Sequence, residues 1–166
     1  MKKVLAVLLV FTFCVATAAF ALDLDDSIVR WNSIVGVITA PGVDNPVDGI
    51  HSGAGPWSAR SGHVRVNLAT GATFFDVEGL VLNGGTSSGT PGRVTSITGT
   101  LVCNATSATP TVLDTTPVAL NAHGNAQFAG QISGIPATCD GPLFLLRAGS
   151  RWIATGSQRF IGDEGQ

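Results

Sequence analysis

Asp76 and Glu78 stand two residues apart in ATFFDVEGL. On a β-strand that spacing puts both carboxylates on one face. Paired carboxylates serve as acid and base in glycoside hydrolysis, and they also line ordinary solvated strand faces. Arg65, on the preceding segment, is placed to pair with one of them across a hairpin. Gly85-Thr86-Ser87-Ser88-Gly89 matches the Gly-x-Ser-x-Gly string of a hydrolase elbow. That elbow needs a helix after the serine to hold an oxyanion. Thr90-Pro91-Gly92 follows instead, so the string reads as a turn. Of the three histidines, His63 falls on a polar strand face and His123 in an Asn-Ala-His-Gly turn. His51 stands near Asp44 and Asp48, without a third ligand at metal spacing. Asp23, Asp25 and Asp26 lack the pattern of a calcium loop. No catalytic residue, metal or cofactor is expected.

The N-terminus sets the compartment. Lys2 and Lys3 precede an apolar run from Val4 to Phe13, and Ala19-Phe20-Ala21 fits the small-x-small rule. Residues 1–21 therefore read as a secretory signal peptide cleaved before Leu22. Phe13 ahead of Cys14 excludes a lipobox, which needs a small residue there. Cleavage leaves 145 of 166 residues, enough for one domain over residues 22–166. The remaining seven arginines face eleven carboxylates, a formal charge of −4. Such a chain has no general attraction for nucleic acid or anionic lipid. No second apolar stretch approaches a membrane span, so no stable membrane insertion is expected after cleavage. The mature chain has neither Lys nor Tyr, which removes Schiff-base and phenol chemistry. Cys103 and Cys139 are its only cysteines. In an exported protein they predict one disulfide. The loop of about 36 residues that it closes is worth roughly 4 kcal/mol on the chain-entropy model.

The elements that must position these residues read as strands. Ser27 to Ala40 is rich in β-branched residues and predicts one strand, bent at Gly36. Ile28, Trp31 and Ile34 also recur at helical spacing, but the flanking Gly and β-branched residues favour the strand. Val64, Val66 and Leu68 alternate with His63, Arg65 and Asn67, the period of a half-buried strand. Ala69-Thr70-Gly71 turns it into Ala72 to Leu82, making a hairpin that buries Phe75 and Val77. Further strands are expected at Arg93–Cys103, Val112–Leu120 (interrupted by Pro117), Asn125–Ser133, Leu143–Leu146 and Arg151–Ser157. Leu143–Leu146 is continuously apolar, as in a strand buried on both sides. The GDEGQ tail after Ile161 predicts a frayed end. Seven to eight short strands, mostly antiparallel, predict an all-β sandwich, with a barrel as the alternative.

From Gly62 to Gly156 the order of elements resembles the chordin-repeat (CHRD) domain, a secreted β-sandwich module. The segments that carry the likeness are GHVRVNLATGATFFDVEGL, VTSITGTLV, TPVAL, GNAQFAGQI and FLLRAGSRWIATG. That family, or a similar exported bacterial β-sandwich family, implies the fold more than an activity. Its His-x-His pair meets Ser96-Ile97-Thr98 here, and its later histidine strand meets Arg151-Trp152-Ile153-Ala154. No histidine-based feature carries over.

The loop from Pro41 to Gly62 is long for a compact domain, and such loops commonly carry function. It gathers His51, Trp57 and Arg60, side chains that anchor interfaces or stack on sugar rings. Trp57 either presents its face to a ligand or plugs the end of the sandwich, whereas Trp31 and Trp152 read as core. The expectation is an exported, non-enzymatic binding or surface-interaction module. Its ligand contacts would be His51, Trp57 and Arg60, and its partner an extracellular protein or glycan. The alternatives are a secreted enzyme (a glycan hydrolase, or a metal-dependent one using Asp76, Glu78 or His51) and a purely structural envelope or matrix protein. The sequence leaves the oligomeric state open.

Overall fold

The computed structural model describes residues 27–157. The leader, its cleavage point before Leu22, Asp23, Asp25, Asp26 and the tail after Ile161 lie outside them. The described residues are all-β and contain no helix. In chain order the strands are β1 (Ile28–Trp31), β2 (Ser33–Gly36), β3 (Trp57–Ser58), β4 (Ser61–Asn67), β5 (Ala72–Glu78) and β6 (Val81–Leu82). They continue as β7 (Ser96–Cys103), β8 (Thr111–Asp114), β9 (Val118–Ala119), β10 (Ala126–Gln131), β11 (Leu143–Ala148) and β12 (Arg151–Ser157). One antiparallel sheet runs β1-β4-β5-β10 and a larger one β2-β12-β11-β7-β8, with β9 on β7 and a small β3-β6 pair beside them.

Two expected strands are divided. The Ser27–Ala40 segment breaks at Asn32, not at Gly36, because β1 pairs with β4 in one sheet and β2 with β12 in the other. The chain passes between layers there, and a single flat strand cannot serve both. Val112–Leu120 splits into β8 and β9 around Pro117, whose missing N–H interrupts the ladder. The continuous apolar run Phe144-Leu145-Leu146 is fully buried in β11, which lies inside the larger sheet.

The hairpin of β4 and β5 follows its period-two pattern. Val64, Val66, Phe75 and Val77 are buried, and Leu68 packs partly against them. Its register sets His63 opposite Asp76 and Arg65 opposite Phe74. Arg65 therefore lies over the Phe74 ring, 5.9 Å from its centroid, and not against a carboxylate. Glu78 instead accepts from Arg60 and from the Ser61 hydroxyl, at 2.9 and 3.1 Å.

The two sheets meet through aromatic rings. Phe144 of β11 lies 5.7 Å from Trp31 and 5.9 Å from Phe75, which stacks on Phe128 at 5.5 Å. Two glycines make room for them. A Cβ on Gly99 would come 2.6 Å from the Phe144 ring and 2.8 Å from Phe75, and one on Gly156 would come 2.7 Å from Trp31.

Cys103, at the end of β7, is bonded to Cys139 in the loop before β11, with a Cα separation of 4.7 Å. Asn104 reinforces the link. Its backbone N–H donates to the Asp140 carbonyl at 2.9 Å, and its side-chain oxygen accepts from the Asp140 N–H at 3.0 Å. The disulfide belongs to an oxidising compartment.

Two stability outcomes follow from this packing. Gly99→Ala overpacks the ring cluster and should cost about 1–3 kcal/mol in urea denaturation. An unchanged midpoint would mean that the rings do not seat on Gly99. Replacing both Cys103 and Cys139 by Ser should cost about 2–5 kcal/mol in the same assay.

Candidate functional site: the anchored loop at the end of the larger sheet

The segment from Pro41 to Gly62, expected as one loop, ends in β3 and the start of β4, and its Val47, Ile50, Trp57 and Ala59 pack on the core. The stretch before β3 is held by hydrogen bonds to β12. Trp152 donates its backbone N–H to the His51 carbonyl at 3.0 Å, and its own carbonyl accepts from Gly53 at 2.8 Å. Residues 51–53 thus add a short parallel segment to β12, where Ser52 bridges Trp152. Farther out, the Trp152 indole N–H donates to the Asn45 carbonyl at 2.9 Å, and Arg151 donates to the Ser52 carbonyl at 2.7 Å. At its far end, the Trp57 N–H donates to the Val37 carbonyl at 2.9 Å, closing the loop onto the strand it left.

Within the loop, Asp48 and Gly49 both take positive φ, 47° and 78°, between the mutually bonded Val47 and Ile50. This is the two-residue turn that favours Asp-Gly, and it directs the chain back toward β12. Asp44 then organises the returning segment. Its carboxylate pairs with the His51 imidazole and accepts from the Ser52 N–H at 2.9 Å. The His51 contact, then the Ser52 amide, lowers the Asp44 pKa from its ordinary value. The Ser52 hydroxyl is fully buried; it accepts from the Asn45 N–H at 2.9 Å and reaches Asp44 at 3.3 Å. It points to the carboxylate and not to His51, so the three side chains form a structural brace, not a nucleophile–base pair.

Of the residues singled out from sequence, His51 lies at the rim of two depressions. One, of about 330 Å³, is also lined by Asp44 and Arg151. The other, of about 250 Å³, is lined by Ile50, Arg147 and Arg151. Trp57 is only 5% exposed and plugs the sandwich end. It lines a third depression, of about 290 Å³, without His51. Arg60 lines none of these and holds Glu78, whose pKa its guanidinium lowers. The three side chains thus do not converge on one surface. Asp48 serves its turn, while His63 and Asp76 face each other on the outer side of the hairpin. The Gly85–Gly89 segment is a turn, closed by Leu82 and Thr90 at 2.9 Å.

Arg151 is the residue that sequence reasoning missed. It lines all three depressions. Its one hydrogen bond is to the Ser52 carbonyl, and no carboxylate pairs with it among the described residues. Arg147, by contrast, is neutralised by Asp114 at 3.2 Å. Among the described residues no three His, Cys, Asp or Glu side chains come together as a metal would need. Nor do the described residues include a helix long and apolar enough to cross a membrane. No family model matches the chain, and no curated protein or solved structure matches it either.

The lowered Asp44 pKa gives the brace a pH dependence. A depressed carboxylate contributes fully above its unfolded pKa, about 3.9, and its contribution fades as pH falls through the lower folded value. The protection factor of the Ser52 amide, its exchange rate set against the intrinsic rate at each pH, should therefore be high at neutral pH and fall on acidification below about pH 4. In Asp44→Ala it should be low at neutral pH. Equal protection in both proteins at pH 7 would rule out the brace.

Proposed function

We propose that the protein is an exported, non-enzymatic binding module. Its ligand surface is the anchored loop around His51 together with Arg151, which follows the β11–β12 turn. One observation carries this reading: hydrogen bonds to β12 hold the loop in place, and beside it stands an exposed guanidinium that pairs with no carboxylate among the described residues. Ordering a loop beforehand removes an entropic cost of association. A rigid sandwich presenting loops at one end is a common architecture for recognition. The burial of the Ser52 hydroxyl and its direction toward Asp44 support binding over acyl transfer. Export rests on the signal peptide read in residues 1–21 and agrees with the disulfide. Kinship with the chordin-repeat domain is part of the same proposal.

The partner is an extracellular glycan or protein. His51 borders its surface, whereas Trp57 lies in the separate depression and Arg60 stands apart with Glu78. A glycan and extracellular-protein array probed with the secreted chain should give hits that both His51→Ala and Arg151→Gln remove, with folding retained by circular dichroism. Arg60→Ala should keep them. Hits that survive both of the first two substitutions would place the binding surface elsewhere.

A further inference from the structure

We propose that this end of the protein carries a second site: an apolar slot that binds a small organic anion, a carboxylate on an aromatic or short aliphatic body. The inference goes beyond the proposed recognition role; the slot shares Arg151 with the His51 grooves but does not include His51. The slot is the depression of about 290 Å³ lined by Trp57, Leu82, Val94 and Ile153, with Arg93 and Arg151 on its margin.

Its floor is fixed. Trp57 is 5% exposed and Ile153 2%, and both belong to the core. One wall is bare backbone. A Cβ on Gly53 would come 3.2 Å from the Ile153 side chain and 3.3 Å from the Trp57 indole nitrogen, so the chain there lies directly against the floor. The slot is just under the usual 300–1,000 Å³ of ligand pockets, which leaves room for one ring system or a short chain.

Its margin is cationic and uncompensated. Arg93 is exposed, and no hydrogen bond or ion pair holds it among the described residues. Arg151 spends one N–H on the Ser52 carbonyl, and no carboxylate opposes it. Both arginines line the same apolar depression, and an anion bound there would answer their charge. Guanidinium and carboxylate match as planar, charge-assisted partners. The floor adds the second half of the specificity. A simple inorganic anion would leave Trp57, Leu82, Val94 and Ile153 wet, and a neutral hydrocarbon would leave both arginines unpaired. A molecule with an apolar body and an anionic head satisfies both.

The test is calorimetric titration of the secreted chain with naphthalene-1-carboxylate, octanoate, acetate and the neutral 1-naphthalenemethanol. At least one of the two larger carboxylates should bind, and the tighter of them assigns the body as ring or chain. The neutral alcohol should bind at least about tenfold more weakly than naphthalene-1-carboxylate, and acetate should not register. Arg93→Gln, at a residue with no hydrogen bond or ion pair among the described residues, should keep the wild-type melting temperature. It should weaken the bound carboxylate about tenfold and leave the alcohol unchanged. The proposal is overturned if neither larger carboxylate binds, if the alcohol binds as tightly as naphthalene-1-carboxylate, or if Arg93→Gln has no effect. Array hits that still depend on His51 while no carboxylate binds would sink this inference alone and leave the recognition role standing.

Discussion

The spacing between the two sheets is set by one contact, the approach of Phe144 to Trp31 and Phe75 over glycine. Those rings cross from the larger sheet to the smaller one. They do so at positions where Gly99 and Gly156 supply no Cβ to hold them apart. A buried aromatic pair contributes about 0.5–1.5 kcal/mol beyond its area, so the cluster also concentrates stability in the middle of the sandwich. Everything at the ends of the sheets inherits its position from this spacing. β12 carries Gly156 near one end and Arg151 and Trp152 at the other, so the strand that seats Trp31 also anchors the loop.

That continuity explains how a long, polar, glycine-rich loop acquires order. β2 gives up its pairing with β12 after Gly36, where residue 37 still bonds to Ile153. The vacated ladder beyond it is taken by residues 51–53, in parallel orientation. The loop is therefore a detour that returns to the sheet edge it left, satisfying backbone groups on Trp152 that would otherwise face solvent. The buried Ser52 hydroxyl and the Asp44 carboxylate satisfy the amides inside the detour. The loop's geometry is thus a property of the sheet edge rather than of its own composition.

The local parts of this design were legible in the sequence. Alternation in His63–Leu68 and Ala72–Val77 gave the hairpin and its buried face, and the two mature cysteines gave the disulfide. Alternation does not report register across a turn, so the partner of Arg65 was not legible, and Phe74 stands where a carboxylate was expected. The break at Asn32 was hidden because β1 and β2 have the same β-branched character and differ only in which sheet receives them. Asp48-Gly49 was a readable turn signal within the long loop. The anchors were not readable, since Asn45 and Trp152 are 107 residues apart and Ser52 and Arg151 are 99 apart. Arg93 and Arg151 look like ordinary strand-flanking arginines until the fold sets them beside one slot.

Net charge is a poor guide to that slot. Beyond residue 21 the chain is acidic, which argues against broad attraction of polyanions, yet the field at a site depends on which charges remain unpaired near it. Asp114 neutralises Arg147, Asp44 faces His51, and Glu78 pairs with Arg60. Among the described residues Arg93 and Arg151 pair with no carboxylate, and both line an apolar depression where the surrounding protein screens a charge less than water does. A weakly acidic protein can thus discourage nonspecific anions over most of its surface while holding one anion-selective spot. Selectivity then comes from two features together: guanidinium groups that the fold leaves unpaired, and core side chains that reject a fully hydrated ion.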